Sequence, residues 1–247
     1  MRKEADAASL RRESSERLEP VMLDVTDAAR IEAALDRVTA ATGGVLDGLV
    51  NNAGIGVPGP LETLPIEDFR RQIEVNLIAH VAVTQRALPA LRKARGRVVF
   101  ISSIGGRIAF PMGGAYHAAK FGIEAVGDVF RQELRPAGIS VSIVEPGSIS
   151  TEIWDRSDRE IDAVLKRSPR TAELYGAQVE AYREASRKLD EKGIAPEKVA
   201  EAIASALTAR RPKTRYLVGA DAKLQTRVKV ITPARLFDRI VARALKF

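Results

Sequence analysis

The sequence contains no cysteine, which excludes a disulfide framework and thiol chemistry and fits a reducing compartment. No apolar run approaches the roughly 20 residues that a membrane span requires. The first twenty residues are charged throughout and lack an apolar centre, so a signal peptide is not expected. Only two histidines occur, His80 and His117, and no cluster of ligand residues surrounds them, so no metal site is expected. These absences together favour a cytoplasmic protein.

Positive charge is abundant instead, and it is unevenly placed. The formal net charge is +7, and residues 208–247 alone hold eleven Lys or Arg and two Asp, a net charge of +9. Such a basic segment is compatible with binding to nucleic acid or to an anionic membrane. No nucleic-acid-binding motif accompanies it, so nucleic acid is not an expected partner.

The end of the chain, about residues 221–247, forms a basic amphipathic tail. Its apolar residues share one face of a predicted helix: Leu236, Phe237, Ile240, Val241 and Leu245. Arginines recur every four residues beside that face, at Arg235, Arg239 and Arg243. The first expectation is that this face packs on the fold or on a second copy in a homo-oligomer. Attachment to a membrane surface is the second.

Strand-like and helix-like segments alternate along the chain. β-rich runs are predicted to form strands at residues 21–25, 45–50, 97–101, 139–144 and 214–219. Helices are predicted over 5–17, from Asp27 to about Ala41, from Phe69 toward Leu91, around Tyr116 and over 196–209. This alternation predicts an α/β fold with a doubly wound parallel sheet covered on both faces. A chain of 247 residues can bury one such core, so a single domain over residues 1–247 is expected.

The segment from Gly96 to Phe121 carries the most chemistry. Its β-rich run ends in Ser102 and Ser103, and a helix-compatible stretch follows. Tyr116 and Lys120 are four residues apart, so they lie on one face of that helix. A nearby ammonium favours the phenolate and is expected to lower the pKa of Tyr116 from about 10 toward neutrality. Tyr116 could then exchange a proton with an oxygen that Ser103 holds by a hydrogen bond. The alternative is a packed tyrosine and a solvated lysine.

Six motifs, taken in this order, resemble the short-chain dehydrogenase/reductase family. They are LDVTD (23–27), NNAG (51–54), VNLIAH (75–80), ISSIGG (101–106), YHAAK (116–120) and PGSIST (146–151). The resemblance covers residues 20 to about 220 and implies a Rossmann-like oxidoreductase that interconverts an alcohol and a ketone or aldehyde with NADP or NAD. It implies a catalytic group made of Asn76, Ser103, Tyr116 and Lys120. In that group, Asn76 is expected to hold a water that links Lys120 to solvent.

The resemblance also implies which residues contact the cofactor. They are Asp24 and Val25 beside the adenine, Asn51, Ala53 and Gly54 at its middle, Lys120 at the nicotinamide ribose, Thr151 at the carboxamide, and Tyr116, Pro146, Gly147 and Ile149 elsewhere along it. Arg2 and Lys3 follow the position of the family's second strand, where a cation can meet a 2′-phosphate. NADP is therefore slightly favoured over NAD.

One glycine pattern, GIGVPG at residues 54–59, matches the G-x-G-x-x-G fingerprint of a phosphate-binding turn. Such a turn must lead directly into a helix. The prolines at positions 58, 60 and 65 keep this stretch extended instead. By resemblance, the stretch lines the cofactor and substrate cleft.

The family's glycine-rich phosphate loop would precede residue 23, whereas the first glycine here is Gly43. The first βαβ portion of the fold is therefore expected to be absent, because Met1 is not the true start or because the chain is a fragment. Two alternatives to an active enzyme follow. One is a folded or partly folded remnant that keeps the motif residues but cannot bind a dinucleotide and has no enzyme activity. The other is a module that binds a membrane surface or a partner protein.

The substrate is indicated only by class. Apolar residues lie between the predicted catalytic serine and tyrosine, at Ile104, Ile108, Phe110 and Met112. They favour a lipophilic alcohol or ketone, steroid- or retinoid-like. The segment from about residue 150 to residue 192 is rich in charged residues, has helical character and contains the only tryptophan, Trp154. By resemblance they form a substrate lid, and the alternative is an ordinary pair of surface helices.

Overall fold

A computed structural model of the chain describes residues 4–13, 18–151 and 153–245. Within these ranges, one sheet is formed by β1 (Gly48–Asn51), β2 (Arg97–Ile101), β3 (Ser140–Pro146) and β4 (Arg215–Val218). The strands are parallel and lie in the order β1-β2-β3-β4. The predicted parallel sheet is confirmed, and the carboxyl ends of all these strands lie at one edge.

Helices connect and cover the strands. They are α1 (Glu4–Glu13), α2 (Ala28–Ala41), α3 (Ile66–Ile73), α4 (Ala79–Ala94), α5 (Gly114–Glu133), α6 (Ile153–Arg167), α7 (Pro169–Glu191), α8 (Pro196–Thr208), α9 (Ala220–Ile231) and α10 (Ala234–Leu245). The helix predicted over residues 5–17 is present as α1, and positions 14–17 lie outside the described residues. The predicted lid corresponds to α6 and α7.

The sheet buries side chains on both faces. Along β2, Val98 and Phe100 belong to a core shared with α2, α4 and α5. Val99 and Ile101 belong to a second core shared with α8. The alternation follows from the two-residue period of a strand. Because both faces are covered, a ligand would reach this sheet at the ends of its strands.

The strand predicted at residues 21–25 is not formed. Residues 18–24 are irregular, and the chain turns at Asp24, whose carboxylate accepts hydrogen bonds from the backbone N–H and the hydroxyl of Thr26. A β-rich run becomes a strand only where a neighbouring strand completes its ladder of hydrogen bonds. The described part of the chain places no such neighbour beside it. Val21 and Leu23 nevertheless pack against the core that contains Phe100.

The limits of α2 agree with the prediction. The carboxylate of Asp27 accepts a hydrogen bond from the backbone N–H of Arg30 at 3.1 Å and caps the helix. After the helix, Gly43 and Gly44 have φ values of 63° and 77°, in the left-handed region that glycine adopts readily. Both limits depend on residues a few positions apart, which is why they were predictable.

The helix predicted from Phe69 toward Leu91 has the expected extent and an unexpected irregularity. Between α3 and α4, Glu74–Ile78 form a π-helical turn. Such a turn adds a residue to the helical repeat and frequently marks a functional site. Asn76, a predicted site residue, lies at the centre of this turn.

The basic tail is helical and packs only in part. In α10, Phe237 contacts Phe110, with ring centroids 6.0 Å apart. Leu236 and Ile240 are about half exposed, so the predicted apolar face is not fully covered. The side chain of Leu245 lies outside the described residues. None of the helices in the described ranges is long and apolar enough to cross a membrane.

Candidate active site

The carboxyl edge of the sheet brings most of the predicted site residues together. Asn51 ends β1, Ser103 follows β2, and Gly147 follows β3. Helix α5 carries Lys120 to the end of β2, where its Nζ donates a hydrogen bond to the carbonyl of Ile101 at 2.8 Å. Three consecutive strand ends and one helix therefore meet at this edge of the sheet.

Two predicted cofactor residues lie apart from this edge. Asp24 and Val25 are in the turn before α2, and both are partly exposed. Because the strand predicted at residues 21–25 is not formed, they do not end a strand of this sheet. Their predicted contact with the adenine stays a prediction. Arg2 and Lys3 lie outside the described residues.

Ser103 and Tyr116 are neighbours across the turn that follows β2. The hydroxyl of Ser103 caps this short turn and accepts a hydrogen bond from the backbone N–H of Gly105 at 3.0 Å. Burial raises the pKa of Tyr116, and the hydrogen bond with the Ser103 hydroxyl partly offsets that rise. The serine thus stabilises the ionised form of the phenol.

The expectation of a lowered tyrosine pKa is wrong for this structure. The Nζ of Lys120 is 5.8 Å from the centroid of the Tyr116 ring, and it is bonded to the Ile101 carbonyl instead of the phenol. Burial lowers the pKa of Lys120 to about 8, and the nearby carboxylate of Glu124 partly offsets this. Desolvation therefore dominates the electrostatics of Tyr116 and Lys120.

Replacement of Lys120 by Met is expected to stabilise the protein while removing activity. A pKa that falls from 10.5 to about 8 means that the buried ammonium destabilises the fold at neutral pH. The shift corresponds to about 3 kcal/mol, less about 1 kcal/mol for the lost hydrogen bond to Ile101. Thermal unfolding at pH 7 should therefore show a midpoint several degrees higher.

The pH dependence of the folding stability tests the direction of this effect. Between pH 8 and 10.5 the unfolded chain binds the Lys120 proton and the folded chain releases it, so the wild type gains stability as the pH rises. The advantage of Lys120→Met should shrink over this window. Lys198→Met, at an exposed position, serves as the matched control. A less stable Lys120→Met variant at pH 7 would contradict the assigned cause.

Four polar side chains hold the chain segment that leaves β1. They are spaced by four residues along one helical stretch, and we call them the polar ladder: Gln72, Asn76, His80 and Thr84. Each of them binds one residue of the segment 51–57. The bound residues are two positions apart, and their order along the chain is the reverse of the order in the polar ladder. Gln72 binds the N–H and the carbonyl of Val57 at 2.8 and 3.2 Å, and Asn76 binds the N–H and the carbonyl of Ile55 at 2.8 Å each. His80 Nε2 binds the carbonyl of Ala53 at 2.7 Å. The hydroxyl of Thr84 accepts a hydrogen bond from the side-chain amide of Asn51 at 2.8 Å.

The spacing of the polar ladder explains why it fits. Four residues of a helix advance about 6 Å, and two residues of an extended chain advance about 6.6 Å. The polar side chains thus replace a neighbouring strand along residues 51–57. This agrees with the prediction that residues 54–59 stay extended and do not enter a helix. Sequence reasoning missed Gln72, His80 and Thr84, although polar residues at four-residue intervals on a helix face were the available signal.

Two members of the polar ladder bear on the predicted catalytic group. The side chain of Asn76 bonds to Ile55, and its expected role as a water ligand stays a prediction. Burial and the charge of Lys120 lower the pKa of His80 to about 4, so its ring is neutral near pH 7. His80 Nε2–H therefore donates to Ala53, a predicted cofactor residue.

The segment after β3 is held from both sides. Asp221, in the first turn of α9, accepts a hydrogen bond from the backbone N–H of Ser148 at 2.8 Å. The indole N–H of Trp154, in α6, donates to the carbonyl of Ile149 at 2.8 Å. Thr151 follows this braced segment and is partly exposed. Cofactor contact by residues 146–151 stays a prediction.

An ionic cluster centred on the buried Glu145 connects β3, β4, α5 and the turn after β2. Glu145, in β3, is fully buried, accepts a hydrogen bond from Arg107 Nη2 at 2.8 Å and pairs with Arg215 Nε at 3.1 Å. Arg215, in β4, also pairs with Glu124 at 3.2 Å and with Asp128 at 2.8 Å. Arg107 directly follows the turn after the predicted catalytic serine, and Glu124 lies one helical turn after the lysine. The cluster was not predicted from the sequence.

Comparison with known proteins agrees with this geometry. A family model described as short chain dehydrogenase matches residues 2–162. Retinol dehydrogenase 5 of Mus musculus is 40% identical over 243 residues, which cover 95% of this chain and 76% of that protein. The 17-beta-hydroxysteroid dehydrogenase type 6 of Bos taurus is 38% identical over 251 residues, covering 98% and 78%.

Solved structures give the same result at the level of the fold. The crystal structure of a short-chain dehydrogenase from Streptomyces avermitilis superposes with a TM-score of 0.75 at 28% identity, covering 100% of this chain and 84% of that one. A short-chain dehydrogenase from Burkholderia cenocepacia, solved in complex with NADP, has a TM-score of 0.70 at 24% identity, covering 99% and 84%.

The fold is that of an α/β protein with a parallel sheet, and the candidate site lies at the carboxyl edge of this sheet. The chain belongs to the short-chain dehydrogenase family. It is accordingly an NAD(P)-dependent enzyme that acts on alcohol or carbonyl groups. The family predicted from the six sequence motifs is confirmed.

Proposed function

We propose that this chain interconverts a lipophilic alcohol and the corresponding ketone or aldehyde, with Tyr116 as the general acid and base. The observation that carries the proposal is the meeting of Ser103, Tyr116 and Lys120 at one strand end. The Ser103 hydroxyl is close enough to the phenol to lower its pKa, and the ammonium lies within 6 Å of the ring. Such a group can hold an oxygen atom and move a proton to or from it.

The donors at this edge fit a nicotinamide dinucleotide. Lys120 uses one N–H on Ile101, and an ammonium has three, so two remain for ribose hydroxyls. Gly54 is exposed and has no side chain, which allows a ligand to approach its backbone closely. When bound, the nicotinamide would supply or accept the hydride. NADP is favoured over NAD on the basis of Arg2 and Lys3, and this preference stays a prediction.

Each residue has a distinct role in the proposed reaction. Ser103 donates a hydrogen bond to the substrate oxygen and orients it beside the phenol. Tyr116 gives its proton to that oxygen during reduction and takes it back during oxidation. Lys120 holds the ribose, and the Ser103 hydroxyl favours the ionised form of Tyr116. Asn76 keeps the segment after β1 extended beside this group.

The lipophilic substrate class is supported by the surroundings of the site. Phe110 contacts the ring of His117, with centroids 5.9 Å apart, and His117 contacts Tyr116 at 5.8 Å. Tyr182 of α7 lies near enough for the charge of Tyr116 to raise its pKa, after the larger effect of burial. Ile108 and Met112 are buried in packing, so Phe110 and Ile104 are the members of the predicted apolar group left partly exposed. The names of relatives, retinol and hydroxysteroid dehydrogenases, are consistent with this class.

The test is a turnover assay with matched alcohols. The purified chain is given NADP or NAD with a retinoid alcohol, a hydroxysteroid or a short hydrophilic alcohol, and reduced nicotinamide is followed by its absorbance. The expected result is a kcat/KM at least about tenfold higher for a lipophilic alcohol, because each buried methylene adds about 0.8 kcal/mol of binding. Absence of turnover of every alcohol would overturn the proposal, and absence of dinucleotide binding as well would favour the inactive remnant. Equal turnover of all three alcohols would overturn the substrate class.

A further inference from the structure

Helix α9 turns an apolar stripe away from the fold. Leu224, Val228 and Ile231 are spaced at i, i+4 and i+7, and they are 63%, 37% and 79% exposed. The opposite side of the helix is attached to the protein, since Ala222 is fully buried and the carboxylate of Asp221 binds the segment after β3. A stripe of large aliphatic side chains in water is unfavourable unless another surface covers it.

Helix α10 repeats this arrangement. Phe237 and Val241 are partly buried on the side that packs against the fold. Leu236 and Ile240 lie one turn apart on the outer side and are 49% and 53% exposed. Two consecutive helices therefore each present large aliphatic side chains outward.

Basic side chains flank both stripes. Five of them are exposed: Lys223, Arg227, Arg235, Arg239 and Arg243. Within the described ranges of the chain, none of the five forms an ion pair. A sixth, Lys229, lies over the ring of Phe237 with its Nζ 4.1 Å from the centroid and ties the two helices together. The outer surface of α9 and α10 thus combines aliphatic side chains with unneutralised positive charge.

We propose that the outer surface of α9 and α10 binds the surface of a membrane that contains anionic phospholipids. Helices that lie in the interface bury an apolar stripe among the acyl chains and place Lys and Arg at the headgroups. Both parts are present here, on two adjoining helices. A second copy of the chain fits less well, because two such surfaces would bring like charges together. The surface accounts for the basic tail, which the reaction does not use.

The outer surface of α9 and α10 lies close to the proposed catalytic group. Phe237 on the inner side of α10 contacts Phe110, and Phe110 contacts His117 beside Tyr116. A row of aromatic side chains therefore leads from the membrane-facing helices to the catalytic tyrosine. A lipophilic alcohol dissolved in the bilayer would meet this row first. Delivery of the alcohol along this row rests on the proposed function, whereas membrane binding itself does not.

The experiment is cosedimentation of the full chain with vesicles. One vesicle preparation contains phosphatidylcholine alone, and the other contains phosphatidylcholine with about 30% phosphatidylserine. The chain is expected to sediment with the anionic vesicles and to be released by high salt, because each Lys or Arg near such a surface contributes about 1 kcal/mol. Charge reversal in Arg235→Glu with Arg239→Glu should weaken binding by at least about thirtyfold. Leu236→Ser with Ile240→Ser should weaken it by about tenfold or more.

Matched variants elsewhere on the chain serve as controls. Arg92 and Arg135 are exposed basic residues that precede β2 and β3, at the opposite edge of the sheet, and Arg92→Glu with Arg135→Glu makes the same change of charge. Val129 and Leu189 are exposed aliphatic residues on α5 and α7, and Val129→Ser with Leu189→Ser matches the apolar change. Both control variants should bind vesicles as the wild type does.

Three outcomes would overturn the proposal. The first is absence of sedimentation with anionic vesicles, and the second is an equal loss of binding in the control variants. The third is a concentration-dependent dimer that the α9 and α10 variants abolish, since it would identify a second copy as the occupant. Turnover of a water-soluble alcohol distinguishes a failure of membrane binding from a failure of the proposed function. This turnover should be the same in the wild type and in the α10 variants, with or without vesicles.

Discussion

Replacement of Tyr116 by Phe is expected to lower kcat/KM by about 100- to 10,000-fold, the range that a positioned acid or base contributes. The substitution deletes one hydroxyl and keeps the ring, so contacts with His117 and the packing of α5 remain. The proton on the substrate oxygen then has no carrier, because Ser103 is too weak a base to replace the phenol. Dinucleotide affinity, measured by titration calorimetry, should stay within a few-fold of the wild type.

Tyr175→Phe provides the matched control for this experiment. Tyr175 lies on α7 and its hydroxyl donates to the exposed carboxylate of Glu62 at 2.6 Å. Removal of that hydroxyl should leave turnover nearly unchanged, because the bond is at the surface. A Tyr116→Phe variant that retains turnover within a few-fold of Tyr175→Phe would show that Tyr116 is not the acid and base.

Replacement of Glu145 by Gln is expected to lower the free energy of unfolding by about 3–5 kcal/mol, the range found when one partner of a buried ion pair is removed. Glu145 is fully buried between Arg107 and Arg215, and the substitution leaves both guanidinium groups beside a neutral amide. For a chain of this length, such a loss lowers the unfolding midpoint by roughly 10 °C. Urea and thermal unfolding measure it directly.

The surface pair Lys198–Glu201 serves as the control. Both side chains are about two-thirds exposed, so Glu201→Gln should change stability by less than about 1 kcal/mol. Adding Arg107→Gln to Glu145→Gln should recover part of the lost stability, since it removes one unpaired charge. If Glu145→Gln costs no more than Glu201→Gln, the buried cluster does not stabilise the fold as assigned.

Stability and activity are expected to respond in opposite ways at neighbouring positions. Lys120 is held at the site although its burial is unfavourable, whereas Glu145 beneath it is paired and stabilising. Glu124 belongs to both groups, because it pairs with Arg215 and also favours the charged form of Lys120. The ionic cluster therefore positions the turn after β2 and supports the charge of the lysine above it. This is a physical reason for charged residues inside the domain.

Much of the fold was predictable, because its signals are local. The cap at Asp27 and the glycines that end α2 act on backbone groups within four residues. The alternation of strands and helices follows from hydrophobic periods of two and 3.6 residues. The proximity of Tyr116 and Lys120 follows from their spacing of one helical turn. For the same reason, residues 54–59 could be recognised as extended from the prolines at positions 58, 60 and 65.

Other features depend on which distant segments become neighbours. The run at residues 21–25 has strand-like composition, yet it is irregular here because no described strand lies beside it to complete its hydrogen bonds. The polar ladder joins residues that are 15 to 33 positions apart, and Glu145 meets Arg107 across 38 positions. Burial raised the pKa of Tyr116 against the direction expected from its lysine neighbour. A pattern of residues specifies what each segment can bind, whereas desolvation and pairing depend on what surrounds the segment once the chain has folded.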